Sequence, residues 1–305
     1  MSLPHLTRLF FVWKRGLLAL CLTSVATYAG RNVDTLIVAE RFDGQHPPDS
    51  AASVGTNNYQ VYDGGFIEAG DSIAGEKPPR PADVMAALSA ALESAASKSA
   101  AQPASPLAII AHWGVIRADR SQPTPVNRLN PNLRGRIALV GTARISGTLE
   151  NYLLRNSPEE FRNPNYPSPT YVSGGELKIA ADQTELPRYF LAISAYDAAA
   201  LREQNATLVW RTTLSAAATE AAMDTCIFTF ATTAAAYVGR DYNEVITLKA
   251  PLASQPAAGL VAKTATAEDA FLRALIHAER TKFSGELLEG NEEKLVAAFK
   301  PSDRG

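Results

Sequence analysis

The run LAIIAHWGVI, residues 107–116, constrains the fold more than any other segment of the chain. In an extended strand, successive side chains point to opposite faces. Apolar side chains then lie on one face at Leu107, Ile109, Trp113 and Val115, and on the other at Ala108, Ile110 and Ile116. Apolar residues on both faces are typical of a strand covered from both sides. We therefore expect a central strand in a sheet with a layer on each side.

Two segments before this run have clear patterns. Residues 34–40, DTLIVAE, predict a first strand, and the Gly/Pro/Asn/Asp-rich residues 41–65 predict a loop with a short extended piece at YQVY. Residues 75–99 predict a helix, with Pro81 in the first turn and Asp83 near the positive end of the helix dipole. Apolar residues recur at helical spacing at Val84, Leu88 and Leu92.

The segments after the run predict further strands. Residues 134–147, RGRIALVGTARISG, are a second strand candidate, and the proline-rich residues 151–187 predict an irregular connection with a helical turn near SPEEF. Residues 189–197 and 207–215 both have strand patterns. The linker AAALREQNA between them has the length of a longer hairpin loop, so these two strands are expected to pair antiparallel.

Residues 218–239 predict a long amphipathic helix that ends at Gly239. The apolar stripe of that helix consists of Met223, Ile227, Phe230, Ala234 and Tyr237. Two short helices are expected near the C-terminus, in EDAFLRALIHAER and EEKLVAAFK.

The order of these elements predicts an α/β (α+β) fold. We expect a mixed β-sheet of about five strands, packed by two main helices, with a short helical C-terminal tail. The expected organisation is a signal peptide at residues 1–29, an α/β domain at 30–250, and a linker with the helical tail at 251–305.

The N-terminal residues have the pattern of a secretory signal peptide. Arg8, Lys14 and Arg15 precede the apolar run GLLALCLTSVATYAG, and small residues would permit cleavage after Ala26 or Ala29. The run is shorter than the roughly 20 residues that span a bilayer. We expect an exported protein, periplasmic or secreted, with no transmembrane helix after the signal is removed. The alternative is a first buried helix of a cytosolic domain.

Two further features bear on partners and location. A lipid anchor on Cys21 is a second possibility for localisation, although Leu20 stands where lipoprotein signals resemble one another in having Gly, Ala or Ser. The formal net charge of −2 gives no field that would attract nucleic acid. The expected partner is therefore an unidentified protein or another envelope component, and the oligomeric state is left open.

The layout of residues 70–240 resembles uncharacterised exported bacterial families of lipoprotein-like envelope domains. The resemblance is carried by GEKPPRPADV, by IIAHWGVIR, by Asp197 at the end of one strand, and by Leu208-Val209-Trp210-Arg211 in the next strand. It implies a small α/β envelope domain. It transfers no activity and no catalytic residue.

The search for chemistry gives weak candidates. Metal-ligand spacings such as HxxxH and CxxC are absent from the sequence, so we expect no metal, and no motif indicates a cofactor. Cys226 lies in an apolar stripe and is expected to be an inert buried thiol. His112 and Asp197 could form a carboxylate–imidazole pair for proton transfer if their strands are adjacent. In the simpler interpretation, His112 is a packed ring and Asp197 starts the hairpin loop.

Three residues are candidates for binding: Trp113, Arg117 and Arg211. In the simpler interpretation, Trp113 is a core anchor and Arg211 pairs with a surface acid. The first functional hypothesis is therefore an exported non-catalytic envelope protein with a binding or scaffolding role. The alternatives are a hydrolase-like enzyme that uses His112 and Asp197 as its acid/base pair, and a surface-assembly component that docks a partner through its tail helices.

Overall fold

The computed structural model describes residues 32–42, 59–71, 76–97, 106–117, 131–141, 146, 148–149, 174–242, 244–254, 264–265, 267 and 269–284. The described residues from Val33 onward belong to one compact unit. Among the described residues, no helix has both the length and the apolar character needed to cross a bilayer.

Seven strands form one mixed sheet. They are β1 (Asn32–Arg41), β2 (Tyr59–Ala69), β3 (Leu107–Ile116), β4 (Arg188–Asp197), β5 (Leu208–Ala217), β6 (Ile246–Pro251) and β7 (Thr264–Ala265). Their order across the sheet is β6-β1-β5-β4-β3-β2-β7. The neighbours from β1 to β3 pair antiparallel, whereas β2 is parallel to β3 and to β7. The predicted mixed α/β sheet is confirmed, with seven strands instead of about five.

Six helices accompany the sheet in the described part of the chain. They are α1 (Pro81–Ser97), α2 (Pro131–Val140), α3 (Gly174–Thr184), α4 (Ala198–Arg202), α5 (Met223–Ala234) and α6 (Ala270–Ser284). Helix α1 is the crossover that joins the parallel strands β2 and β3, a connection that such a pair requires. The prediction for residues 75–99 is thereby confirmed, and the predicted helix 218–239 is the shorter α5.

Strand β3 is buried along its whole length, as its two apolar faces predicted. On one face, Ile109 and Trp113 belong to a core shared with α1 and α5, which contribute Leu88 and Phe230. The opposite face is covered by α2 and α6, where Ile116 packs near Phe283 and Ile110 packs near Leu275. The sheet is thus the middle of three layers.

The antiparallel pair of β4 and β5 is also confirmed. Its loop contains the short helix α4, which Asp197 caps by accepting hydrogen bonds from the backbone N–H groups of Ala199 and Ala200. Such side-chain capping is the usual role of an aspartate at a helix N-terminus.

Two of the predicted elements are wrong. Residues 131–140 form helix α2, although 134–147 had been expected to form a strand. A short apolar run such as IALV does not distinguish a strand from a buried helix by periodicity. Helix α3 occupies part of residues 151–187, which were predicted to form an irregular connection. The segments SPEEF and EEKLVAAFK, for which helical structure was predicted, lie outside the described residues.

The predicted loop at residues 41–65 contains more strand than expected. Strand β2 begins at Tyr59 and continues past Gly64, with a change of register between Asp63 and Gly65. Gly65 has φ +90°, a conformation that glycine adopts at little cost. The Gly-Gly pair therefore marks a β-bulge inside a strand rather than a loop.

The close approach of β2 and β3 at Gly114 gives a test of this register. A Cβ added at Gly114 would lie 1.8 Å from the carbonyl oxygen of Ile67, so alanine requires the backbones to separate. We expect Gly114→Ala to lower the free energy of unfolding by more than about 3 kcal/mol, or to prevent folding. Urea denaturation followed by circular dichroism measures it. An alanine variant as stable as the wild type would contradict the register.

Candidate functional site

The imidazole of His112 is buried in the middle of the sheet. It lies on the face of β3 that α6 covers, and the residue is 0% exposed. A Cβ at Gly64 would lie 2.5 Å from both Cε1 and Nδ1 of the ring, so glycine in the neighbouring strand makes room for it. The ring of Phe283 lies on the α6 side, 6.4 Å between centroids. Neither ring nitrogen has a hydrogen bond of normal geometry among the described residues.

The carboxylate of Glu279, on α6, is the centre of a buried polar cluster. Its Oε1 accepts a hydrogen bond from the Tyr196 hydroxyl at 2.7 Å and another from Nη2 of Arg211. Its Oε2 lies 3.7 Å from Nε2 of His112. The side chain is 4% exposed. One carboxylate from α6 thus meets side chains from β3, β4 and β5.

The strand register explains why these side chains converge. Ser194 lies opposite Ile110 in β3 and opposite Arg211 in β5. Nε of Arg211 donates to Oγ of Ser194 at 2.9 Å, which leaves Nη2 for Glu279. The guanidinium therefore uses two of its donors within the cluster, as a charge buried in a protein requires.

Charges within the cluster set the protonation of its members. Burial alone would raise the pKa of Glu279, but Arg211, His112 and the Tyr196 hydroxyl outweigh it, so the pKa is lowered. Burial lowers the pKa of His112 to about 4, against the opposing effect of Glu279. Burial and Glu279 together raise the pKa of Tyr196. At neutral pH the cluster therefore holds an ionised Arg211–Glu279 pair beside a neutral imidazole and a neutral phenol.

The structure does not bring His112 and Asp197 together. In the register of β3 and β4, Asp197 lies opposite Leu107, whereas His112 lies opposite Ala192. Five residues of strand separate the two positions, roughly 17 Å. The carboxylate of Asp197 serves instead as the cap of α4. The residue that meets His112 is Glu279.

The three binding candidates lie in different places. Trp113 is 0% exposed and belongs to the core on the α1 and α5 side of the sheet. Arg211 belongs to the cluster around Glu279. Arg117 follows β3 and pairs with two carboxylates, at 2.7 Å to Glu68 and also to Glu76.

Arg117 belongs to a second polar network, at the end of β3. Glu76 also accepts a hydrogen bond from the Tyr189 hydroxyl. Arg136, on α2, donates to the carbonyl oxygens of Arg117 at 2.8 Å and of Thr184 at 2.5 Å. These contacts connect the end of β3 to α2 and to the end of α3. Arg117 therefore has a positioning role within the fold.

Sequence reasoning missed Glu279, Tyr196 and Gly64 as members of the site. A signal for Glu279 exists, because Leu272, Leu275 and Phe283 form the buried stripe of α6 and Glu279 occupies a position on that stripe. An acidic residue in a buried stripe requires a partner. The identity of that partner depends on the strand register, which the sequence alone does not determine.

The chemistry open to the cluster is limited by its composition. Among the side chains that the structure describes, no group of three or more His, Cys, Asp and Glu residues is placed to hold a metal ion. The sealed His112–Glu279 pair has the components for proton exchange, while the Arg211–Glu279 pair fixes α6 on the sheet.

Comparison of the chain with protein-family models, with curated proteins and with solved structures gives no match.

Removal of one partner of the buried ion pair should be costly. We expect Glu279→Gln and Arg211→Met each to lower the free energy of unfolding by about 3–5 kcal/mol, because each leaves a buried polar group without its counter-charge. Urea denaturation is the measurement. The control is Lys178→Met in the exposed Lys178–Asp182 pair on α3, at 3.0 Å, which should cost less than about 1 kcal/mol. Equal costs at the two pairs would contradict the assignment.

Acidification should destabilise the protein through His112. Its pKa is about 4 when folded, against 6.5 for an unperturbed histidine, so the unfolded chain binds more protons between these values. The free energy of unfolding should therefore fall by about 3 kcal/mol as the pH decreases from 6.5 to 4. The contribution of Glu279, whose pKa is lowered from 4.5, begins to be lost as the pH falls below about 4.5, at the acidic end of this range.

The matched variants for this test are two histidine substitutions. His112→Leu should abolish the dependence between pH 6.5 and 4, whereas His277→Asn, at an exposed position of α6, should retain it. Denaturation curves across this pH range measure both. A dependence that persists in His112→Leu would assign it to another group.

Proposed function

We propose that this chain is an exported, non-catalytic α/β domain of the bacterial cell envelope that binds or scaffolds a partner. The signal-peptide pattern of residues 1–29 supports the location. The observation that carries the non-catalytic role is the use of the candidate polar groups within the fold. Asp197 caps α4, Arg211 binds Glu279, and Arg117 binds Glu68 and Glu76.

The enzyme alternative has less support. A hydrolase-like mechanism with His112 and Asp197 requires the two side chains to meet, and they lie about 17 Å apart along neighbouring strands. His112 is also sealed between Gly64 and the residues of α6. A ring in this position serves the packing of a helix on a sheet more directly than it serves a substrate.

The location and the partner can be tested in one experiment. Cells that produce the chain with a C-terminal tag are treated with a membrane-permeant cross-linker and fractionated, and the N-terminus of the tagged protein is sequenced. We expect a protein shortened to the residue after Ala26 or Ala29, in the envelope or the medium, with a discrete cross-linked adduct. Leu18→Arg, which places a charge in the apolar run, should leave the unprocessed chain in the cytosol.

Three outcomes separate the parts of the proposal. An intact N-terminus on soluble cytosolic protein would overturn export. Processing at Cys21 with a bound lipid would favour the anchored form. A processed protein without any discrete adduct would contradict the binding or scaffolding role.

A further inference from the structure

Helix α6 is the element that closes the site over His112. Its Glu279 and Phe283 lie on the open side of the imidazole. The other sides of the ring are formed by the sheet, with Gly64 from β2 in contact and Ala192 of β4 in register with it. Among the described residues, α6 thus supplies the side chains that cover this imidazole on the side away from the sheet.

The charged groups around the imidazole come from several elements. Helix α6 contributes Glu279 and Arg280, β5 contributes Arg211, and β4 contributes the Tyr196 hydroxyl, while β2 presents only the backbone of Gly64. Glu279 favours a proton on His112, and the two arginines oppose it. The carboxylate already accepts hydrogen bonds from Arg211 and Tyr196, so a protonated imidazole would compete with both for one anion.

Two more titratable groups, Glu40 and Lys282, interact electrostatically with Arg211. Glu40 of β1 acts on Arg211. Lys282 of α6 has its pKa lowered by Arg211 to about 7, and its side chain is exposed to solvent. Solvent screening weakens the effect of an exposed charge. The effects of Lys282 and of His112 have to be distinguished by experiment, because both groups gain a proton on acidification.

The packing under α6 is separate from the main core. Leu272 and Leu275 contact the small cluster with Ile110 and Tyr196, and Phe283 stacks on Phe190 at 5.3 Å. The larger core on the opposite face, with α1 and α5, contains no residue of α6. An element whose packing is separate from the main core can open locally while that core stays folded.

We propose that α6 is an acid-released cover: uptake of a proton by His112 lifts α6 from the sheet while the sheet and the α1–α5 layer stay folded. The opened state exposes the imidazole, the guanidinium of Arg211 and the apolar face around Ile110 and Tyr196. The proposal concerns the fold itself and does not depend on export or on a partner.

Hydrogen exchange measured by mass spectrometry on the full chain tests this directly. Rates at pH 7 and pH 5 are each divided by the intrinsic rates of the unstructured peptide at the same pH. With a pKa of about 4 for the closed state and 6.5 for the open state, the open population should rise about 20-fold between these conditions. We therefore expect the protection from exchange to fall about 20-fold in residues 270–284 and to change little in residues 107–116 and 188–197.

Variants assign the response to its group. His112→Leu and His112→Gln, which carry no titratable imidazole, should show no loss of protection in α6 at pH 5. His277→Asn and Lys282→Gln should respond as the wild type does. The proposal is overturned if α6 and the strands lose protection together, if α6 stays protected at pH 5, if the response persists without the imidazole, or if Lys282→Gln abolishes it. If both His112 variants fail to fold, the wild-type protein still tests the proposal, because only α6 and not the strands should lose protection at pH 5.

Discussion

The contact that fixes the position of α6, and with it the surroundings of His112, is the one between the carboxylate of Glu279 and the sheet. A helix near the C-terminus places a negative charge, 4% exposed, where hydroxyl and guanidinium donors from two strands converge. Burial of a charge costs several kcal/mol unless a counter-charge and hydrogen bonds compensate. Arg211 and Tyr196 supply that compensation, so α6 has one low-energy position on the sheet.

The same contact determines the character of His112. Because Glu279 and Phe283 cover the imidazole, the ring is dehydrated and stays neutral at physiological pH. An apolar residue at this position would pack without such a cost. His112 therefore makes the position of α6 sensitive to pH, whereas the Arg211–Glu279 ion pair fixes that position on the sheet. Replacing both partners of such a buried pair by well-packed apolar residues is often neutral or stabilising, whereas removing one partner is costly.

Which features the sequence could predict depends on how far apart in the chain the interacting residues lie. Strand β3, helix α1 and the β4–β5 pair depend on local periodicity, and their patterns in residues 75–99, 107–116 and 189–215 predicted them. Helix α2 was predicted as a strand because IALV fits both periods. The partner of His112 lies 167 positions away in the chain, and strand register decides which carboxylate it meets. Two local signals were present in the sequence. Glycines within a strand pattern indicate a close neighbour, as at Gly64-Gly65, and Glu279 lies in the apolar stripe of α6, where an acidic residue requires a partner.

A double-mutant cycle between Arg211 and Glu279 tests this account most directly. The free energies of unfolding are compared for the wild type, Arg211→Met, Glu279→Leu and the double variant, in urea at pH 7. The account predicts a coupling energy of at least about 1 kcal/mol, with the double variant more stable than the sum of the single losses implies. Additive losses, with a coupling energy below about 0.3 kcal/mol, would contradict it.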